Sequence, residues 1–498
     1  VTHHAYGPGD LSESLDEAAH RCLVAGFDGT TAVPDTLKRL VDRGLGGVIL
    51  FTRNIRDAGQ VRELTDTLRE LRPDLLVAID NEGGGIGHLA GAGAPEAPGS
   101  RALGAVDDPA LTGACADALA GHLATLGITV SYAPVADLQH RPENPIVRTR
   151  AFGAEPDLVS RHLRAWIAAT EARSIASCAK HFPGHGGTVT DSHHETAVDP
   201  RPYAELDLAP FRAAIDAGVP MVMSAHVVFP ALDPDRPATL SPRILGDLLR
   251  GELGFDGVLV SDALEMKAIA DRYGEAAAAR IALAAGADQV VVAVPHLETT
   301  LACRDAVLDG LRSGELARDR VEEAAARVRR LARRYATPPA PSAVAPWDEG
   351  AGLTAARRAV RSRGALPQPV PGAYVVDLFP PPHPALNWGG EDLLTEVRTL
   401  DPAAVGTALT GEPGQAVVAE VLREAQGRPL VVAVCDAGLH PWQRRVREAL
   451  LAARPDAVPV STGLPEGEAL CAYGRGRVNL RAVAEVLSGV GATAGSAP

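Results

Sequence analysis

The chain has 498 residues, 46% of them apolar and 22% charged, with a formal net charge of −14 at pH 7. That length exceeds one ordinary domain and the composition is too apolar for disorder, so two or three domains are expected. The acidic balance excludes nucleic acid as the main partner, because phosphate binding needs basic surface. Three lysines occur, Lys38, Lys180 and Lys267, so Lys180, in a polar stretch, draws notice. The six cysteines show no C-x-x-C spacing, which excludes a zinc ribbon or a disulfide framework and leaves them as small hydrophobes. No run of 18 uncharged apolar residues occurs, so no membrane span is expected. The opening "VTHHAYGPGD" lacks a signal-peptide pattern, and a cytoplasmic location is the default expectation.

Short apolar runs recur along the first two thirds of the chain. They are "CLVAGF" (22–27), "GGVILF" (46–51), "LLVAID" (75–80), "ITVSYAPVAD" (128–137), "SIASCAKHF" (174–182), "PMVMSAHV" (220–227), "GVLVSD" (257–262) and "DQVVVA" (288–293). Continuously apolar runs are the mark of parallel strands buried on both faces. Amphipathic segments such as "DTLKRLVDRGLG" separate them. Eight such β-then-α units predict a (β/α)8 TIM-type barrel, in preference to an open doubly wound sheet. The barrel is expected over residues 1–336. Many runs end in polar residues: Asp80, Asp137, Lys180 and His181, His226 and Asp262. In a barrel the C-terminal strand ends carry the active site; the competing reading of each residue alone is a cap for the next helix.

The Pro/Ala-rich "TPPAPSAVAPWDEG" (337–350) reads as a linker. Beyond it, "AYVVDLF" (373–379), "LVVAVCD" (430–436) and "AVPVSTG" (457–463) alternate with helical text, predicting a smaller α/β domain over 351–498. Its "YGRGR" (473–477) lacks the G-x-G-x-x-G phosphate fingerprint, and no chemistry is assigned there.

The stretch "KHFPGHGGTVTDSHHET" (180–196) holds four histidines. His181 and His185 have H-x3-H spacing, but Pro183, Gly184, Gly186 and Gly187 forbid the helix that would turn this into a zinc site, and no acidic H-E-x-x-H partner is present. A loop carrying Asp191 two residues before His193 suits a different task. The carboxylate can accept a hydrogen bond from the imidazole, set its tautomer and keep it able to trade protons near neutral pH. A surface loop without function is the alternative. Asp262, in "VLVSDALEMKAI", is open to two readings at this point, a nucleophile or a helix cap.

Seven motifs in order, "VAGFDG", "GVILFTRNI", "AIDNEGG", "YAPVADL", "NPIVRTRAFG", "KHFPGHG" with "DSH", and "SDALEMKAI", resemble glycoside hydrolase family 3 over roughly residues 20–335, and within it the bacterial β-N-acetylglucosaminidases of cell-wall recycling. The linker and second domain are similar to its two-domain members. The resemblance implies a retaining exo-acting hydrolase with Asp262 as the nucleophile, His193 as acid/base and Asp191 as its orienting partner. It implies sugar binding by Asp80, Arg150, Lys180 and His181, no metal or organic cofactor and a small carbohydrate partner; a monomer is the default expectation, which the resemblance does not decide. Imidazole, unlike a carboxylate, need not repel an anionic acceptor, so phosphorolysis stands beside hydrolysis as an outcome.

The chain departs from the family at "EGGGIGHL": Gly85 and His88 stand where the family usually has arginines. Histidine does not replace a forked, permanent cation, so His88 is expected to alter how the sugar is held and which sugar is preferred. The competing readings are a family 3 β-glycosidase of other specificity, a catalytically weak sugar-binding homologue and, least favoured, a metallohydrolase.

Overall fold

The structure is a computed structural model that describes residues 14–363, 367–381, 392–414, 416–465, 467 and 470–490. The opening stretch 1–10, read above for a leader, lies outside the described residues.

Eight parallel strands close into a barrel. They are β1 (Leu23–Gly26), β2 (Gly47–Leu50), β3 (Leu76–Ile79), β4 (Val130–Ser131), β5 (Ala176–Phe182), β6 (Met221–Ser224), β7 (Val258–Ala263) and β8 (Gln289–Val292), and each falls on one of the eight apolar runs. Strand side chains alternate between faces, and here both faces are dry. Val24, Ile49, Leu76, Ala78, Val258 and Val260 belong to the cluster inside the barrel. Their neighbours Leu23, Ala25, Val48, Leu50, Val77, Ile79 and Leu259 belong to the larger cluster between strands and helices. Val328, Leu331 and Tyr335, on the helix Arg318–Tyr335, pack into the inner cluster, so the barrel is a filled core and not a pore.

A second domain follows, built on a six-stranded sheet. Its strands are β9 (Arg361–Ser362), β10 (Tyr374–Phe379), β11 (Val405–Thr410), β12 (Leu430–Val434), β13 (Val458–Ser461) and β14 (Leu470–Cys471), in the spatial order β9-β14-β13-β12-β10-β11. Helices cover both faces. Val375, Val431 and Val460 face one cluster, while Tyr374, Val376, Val432 and Val434 face another. Between the two domains the Pro/Ala-rich segment lies against the barrel: Arg173 donates to the carbonyls of Ala345 and Pro346, and the Trp347 ring meets the edge of His122.

Candidate active site

The alternation that buries the barrel interior also supplies the site. In β3 the inward positions are Leu76 and Ala78, and the next of the same parity is Asp80. In β5 they are Ala176 and Cys178, followed by Lys180; in β7 they are Val258 and Val260, followed by Asp262. These three charged residues stand at the C-terminal ends of their strands, where a TIM barrel holds its chemistry. With Glu82, His88, Tyr132, Arg150, His181, His193 and Glu265 they line a cavity of about 430 Å³. Seven of the eight residues expected from the sequence line it, and the eighth, Asp191, is hydrogen-bonded to one of the seven.

One side of the cavity is a tight lattice of opposite charges. Lys180 Nζ lies 2.6 Å from Asp80 Oδ1 and 2.7 Å from Glu82 Oε1. Arg150 grips Glu82 with two bonds, Nε to Oε2 at 2.9 Å and Nη2 to Oε1 at 2.8 Å. Burial alone would raise the Glu82 carboxyl, but Arg150 and Lys180 hold it well below the usual carboxylate range. By the same coupling, Lys180 and Arg150 stay cationic despite burial. His181 Nδ1 donates to Asp137 Oδ2 at 2.8 Å, and its Nε2 faces Arg150 Nη2 at 3.4 Å. Asp137 is fully buried and also accepts the backbone N–H of His181 and of His185. It ties the start of the histidine loop to the strand-end segment that follows β4.

The loop itself is anchored at several points. Gly186 packs so closely that a Cβ there would fall 1.5 Å from the carbonyl oxygen of Leu138. Asn144 Nδ2 donates to the carbonyls of His185 and Thr188. His185 is buried, with Nδ1 at 3.1 Å from Thr188 Oγ1 and Nε2 at 3.0 Å from Ser192 Oγ. Burial pushes it down to about 4, so it is a neutral brace inside the loop. His194 points outward and is exposed. His193 faces the cavity, and its Nδ1 meets Asp191 Oδ1 at 2.7 Å; the same oxygen accepts the His193 backbone N–H at 2.9 Å. Two bonds to one oxygen fix both the ring orientation and the tautomer.

Opposing electrostatic influences act on Asp262. Burial pushes its carboxyl up, but His226, His181 and His193 together with the Ala263 N–H outweigh this and bring it down to about 2. His226 is buried behind it, spanning Thr239 Oγ1 (2.8 Å) and the Ala263 carbonyl (2.9 Å). Three residues on, burial is the largest influence on Glu265. Burial pushes its carboxyl up to about 6, and Oε2 accepts the Ala293 N–H at 3.2 Å.

His88 also lines the cavity. Its Nδ1 lies 2.9 Å from Thr52 Oγ1, and its ring meets Phe51 edge-on at 5.2 Å. Burial lowers its proton affinity, so a neutral ring stands beside Asp80 and Lys180. Arg53 lines the cavity as well, its guanidinium 4.5 Å over the Phe51 ring and bonded to the carbonyls of Phe27 and Ala293.

The profile of the family described as "Glycosyl hydrolase family 3 N terminal domain" matches residues 23–331. A β-hexosaminidase of Alkalilimnicola ehrlichii is 38% identical over 302 residues, which is 58% of this chain and 86% of that protein. The chain belongs to glycosyl hydrolase family 3. A β-hexosaminidase from Pseudomonas aeruginosa is 39% identical over 287 residues, covering 56% of this chain and 84% of its own. The family match ends near the last barrel helix, but the likeness in three dimensions does not. The family 3 β-N-acetylglucosaminidase from Paenibacillus sp. str. FPU-7 superposes with a TM-score of 0.88 at 31% identity, over 97% of this chain and 98% of that one.

Sequence reasoning on this family 3 chain missed several cavity residues. Glu82, in the very "EGG" motif quoted for the family, makes more contacts with the cationic side chains than Asp80 does. Asp137 and His226, buried behind the lining, were noticed as strand-end residues at the ends of the fourth and sixth runs, without a role. Glu265 and Arg53 carry no periodic or spacing signal.

Proposed function

We propose that the protein is a retaining exo-acting β-N-acetylhexosaminidase that removes terminal β-linked N-acetylglucosamine. The observation that carries this reading is the pairing, in one 430 Å³ cavity, of a carboxylate held ionised at the end of β7 with an imidazole locked to a carboxylate on a loop. The β-hexosaminidase relatives and the family likeness support the substrate class. In the first step Asp262 attacks the anomeric carbon, the glycosidic bond breaks, and His193 gives its Nε2 proton to the departing oxygen. Asp191, bound at Nδ1, stabilises the imidazolium before transfer and holds the orientation and tautomer of the neutral ring after it. In the second step His193 takes a proton from water, whose oxygen displaces Asp262 and releases the sugar. Asp80, Lys180, His181, Arg150 and Glu82 form the polar lattice that receives the sugar hydroxyls, and His88 lies along the same sugar.

The test is turnover of 4-nitrophenyl N-acetyl-β-glucosaminide, followed by trapping with a fluorinated glycosyl fluoride and peptide mass mapping. An adduct on the peptide containing Asp262 is the expected result. Activity on aryl glucosides alone would overturn the substrate, and turnover without any adduct would overturn the covalent step.

A second reading is favoured by one observation. Glu265 lines the same cavity with its carboxyl pushed up to about 6, the value suited to a proton donor near neutral pH. In that reading Glu265, not His193, is the acid/base. The variants His193→Ala and Glu265→Gln separate the two, since only the true acid/base loses turnover on substrates with poor leaving groups.

A further inference from the structure

We propose that the second domain sets the geometry of the Arg150–Glu82 pair, with Asp436 as a positioning residue that acts through Arg148. The proposal rests on the reading above that this pair holds the sugar.

Arg148 and Arg150 share one tight turn, Arg148–Arg150, and face different ways. Arg150 enters the cavity and grips Glu82. Arg148 points to the second domain, where its Nη2 meets Asp436 Oδ1 at 2.7 Å. The two side chains of this ion pair are only 6% and 5% exposed, although 288 residues separate them in the chain. The Arg148 backbone has φ 36°, in the left-handed region that side-chain-bearing residues rarely adopt. Something must hold it there. Its guanidinium supplies the hold, with Nη1 donating to the Pro142 carbonyl at 2.7 Å and Nη2 to Asp436.

Asp436 is a fixed anchor. It follows β12, has φ 62°, and its Oδ1 also accepts the Leu464 N–H at 3.3 Å. The facing residue must be glycine, since a Cβ on Gly463 would lie 2.1 Å from that oxygen. The Glu82 side of the pair has its own support. Glu82 belongs to a hairpin, Asn81–Gly83 with Ile86–Gly87, whose turn contains Gly84. Gly476 of the second domain packs on that turn so closely that a Cβ would meet Gly84 Cα at 3.0 Å and its carbonyl oxygen at 3.2 Å. The adjacent Arg475 is pinned by two bonds to buried Asp377. Each partner of the sugar-holding pair is thus braced by a separate element of the second domain. If Asp436 loses its charge, a buried guanidinium is left without a counter-charge. The turn relieves this by swinging Arg148 toward water, and Arg150, two residues on, leaves its place on Glu82.

Steady-state kinetics on 4-nitrophenyl N-acetyl-β-glucosaminide with the full chain test this, alongside thermal melts. Asp436→Asn is expected to raise KM about tenfold while kcat changes less than about threefold. Gly476→Ala is expected to shift KM the same way. Arg148→Gln combined with Asp436→Asn buries no unpaired charge and guards against a single variant that fails to fold; it too is expected to raise KM. The exposed cross-domain pair Arg358–Asp108 touches neither turn, so Arg358→Ala is the control and leaves KM within about twofold. Unchanged KM in Asp436→Asn and in the double variant overturns the proposal, as does an equal rise in Arg358→Ala, which marks general loosening of the domains. Arg150→Lys separates the two levels. Raised KM there with unchanged KM in Asp436→Asn sinks the positioning role alone. Unchanged KM in Arg150→Lys sinks the reading of the sugar-holding pair, and the proposal with it.

Discussion

Replacing Glu265 by Gln tests both the electrostatics of the cavity and the choice of proton donor. Burial raises the Glu265 carboxyl from 4.5 to about 6 in the folded protein. A folded-state value above the unfolded one means that the folded protein binds the proton more tightly, so this group favours folding below about pH 4.5 and loses that contribution as pH rises through 6. The difference corresponds to about 2 kcal/mol, carried as a cost at neutral pH. Glutamine keeps an acceptor for the Ala293 N–H, which Glu265 Oε2 now serves at 3.2 Å, and carries no charge to desolvate. The variant is therefore expected to gain stability on wild type as pH rises from 4 to 7.5. For a barrel of the size matched by the family profile, residues 23–331, 2 kcal/mol is about 3 °C in Tm. The assay is a pair of thermal melts, wild type and variant, at pH 4, 6 and 7.5, with kcat measured on an aryl and on an alkyl N-acetyl-β-glucosaminide. A Tm difference that does not grow with pH refutes the electrostatic reasoning. Loss of kcat by a factor of about 10² to 10⁴ on the alkyl substrate refutes His193 as the acid/base and installs Glu265.

Other outcomes follow from the same geometry. His193→Ala is expected to lower kcat/KM by about 10² to 10⁴ on alkyl glycosides and far less on nitrophenyl ones, where the leaving group needs no proton in the first step, while kcat falls on both because the second step loses its base; equal losses of kcat/KM on both would refute the assignment. Asp191→Asn is expected to keep the ring's place but weaken the imidazolium, moving the pH–rate profile, and an unmoved profile counts against the dyad. Glu82→Gln leaves Lys180 and Arg150 short of a buried carboxylate and is expected to cost about 3 to 5 kcal/mol. In wild type the depressed Glu82 carboxyl contributes stability that is present above about pH 4.5 and is lost as pH falls through its folded value, so an acid-unfolding curve should flatten in the variant. Turnover in phosphate is expected to yield sugar 1-phosphate beside free sugar if the imidazole admits an anionic acceptor; product analysis showing free sugar alone refutes that.

The barrel was legible because its strands are wet on neither face. Runs such as "GVLVSD" carry two interleaved apolar sets, Val258 and Val260 inward and Leu259 outward, and no strand of a half-exposed sheet reads that way. The same parity rule reaches the site, since Asp80, Lys180 and Asp262 are the first polar residues on inward registers that are otherwise apolar. The His193–Asp191 pair was legible for a local reason: two residues of loop suffice to bring one side chain onto the other.

What escaped the sequence is what depends on distance along the chain. Glu82 takes its importance from Lys180, about a hundred residues on, and from Arg150, 68 residues on; neither separation leaves a mark in local text. Arg148 reads in sequence as one more arginine in an arginine-rich chain, and Asp436 as the polar end of a strand. "YGRGR" lacks the phosphate-loop pattern, yet one of its glycines serves close approach of a different kind, with Gly476 against Gly84 and Arg475 sunk on Asp377. A motif defined by what it would bind cannot reveal a segment whose partner is another part of the same chain. The second domain looked empty of chemistry because its contacts with the barrel next to the cavity are made from behind the wall: Asp436 on Arg148, and Gly476 on the turn that follows Glu82.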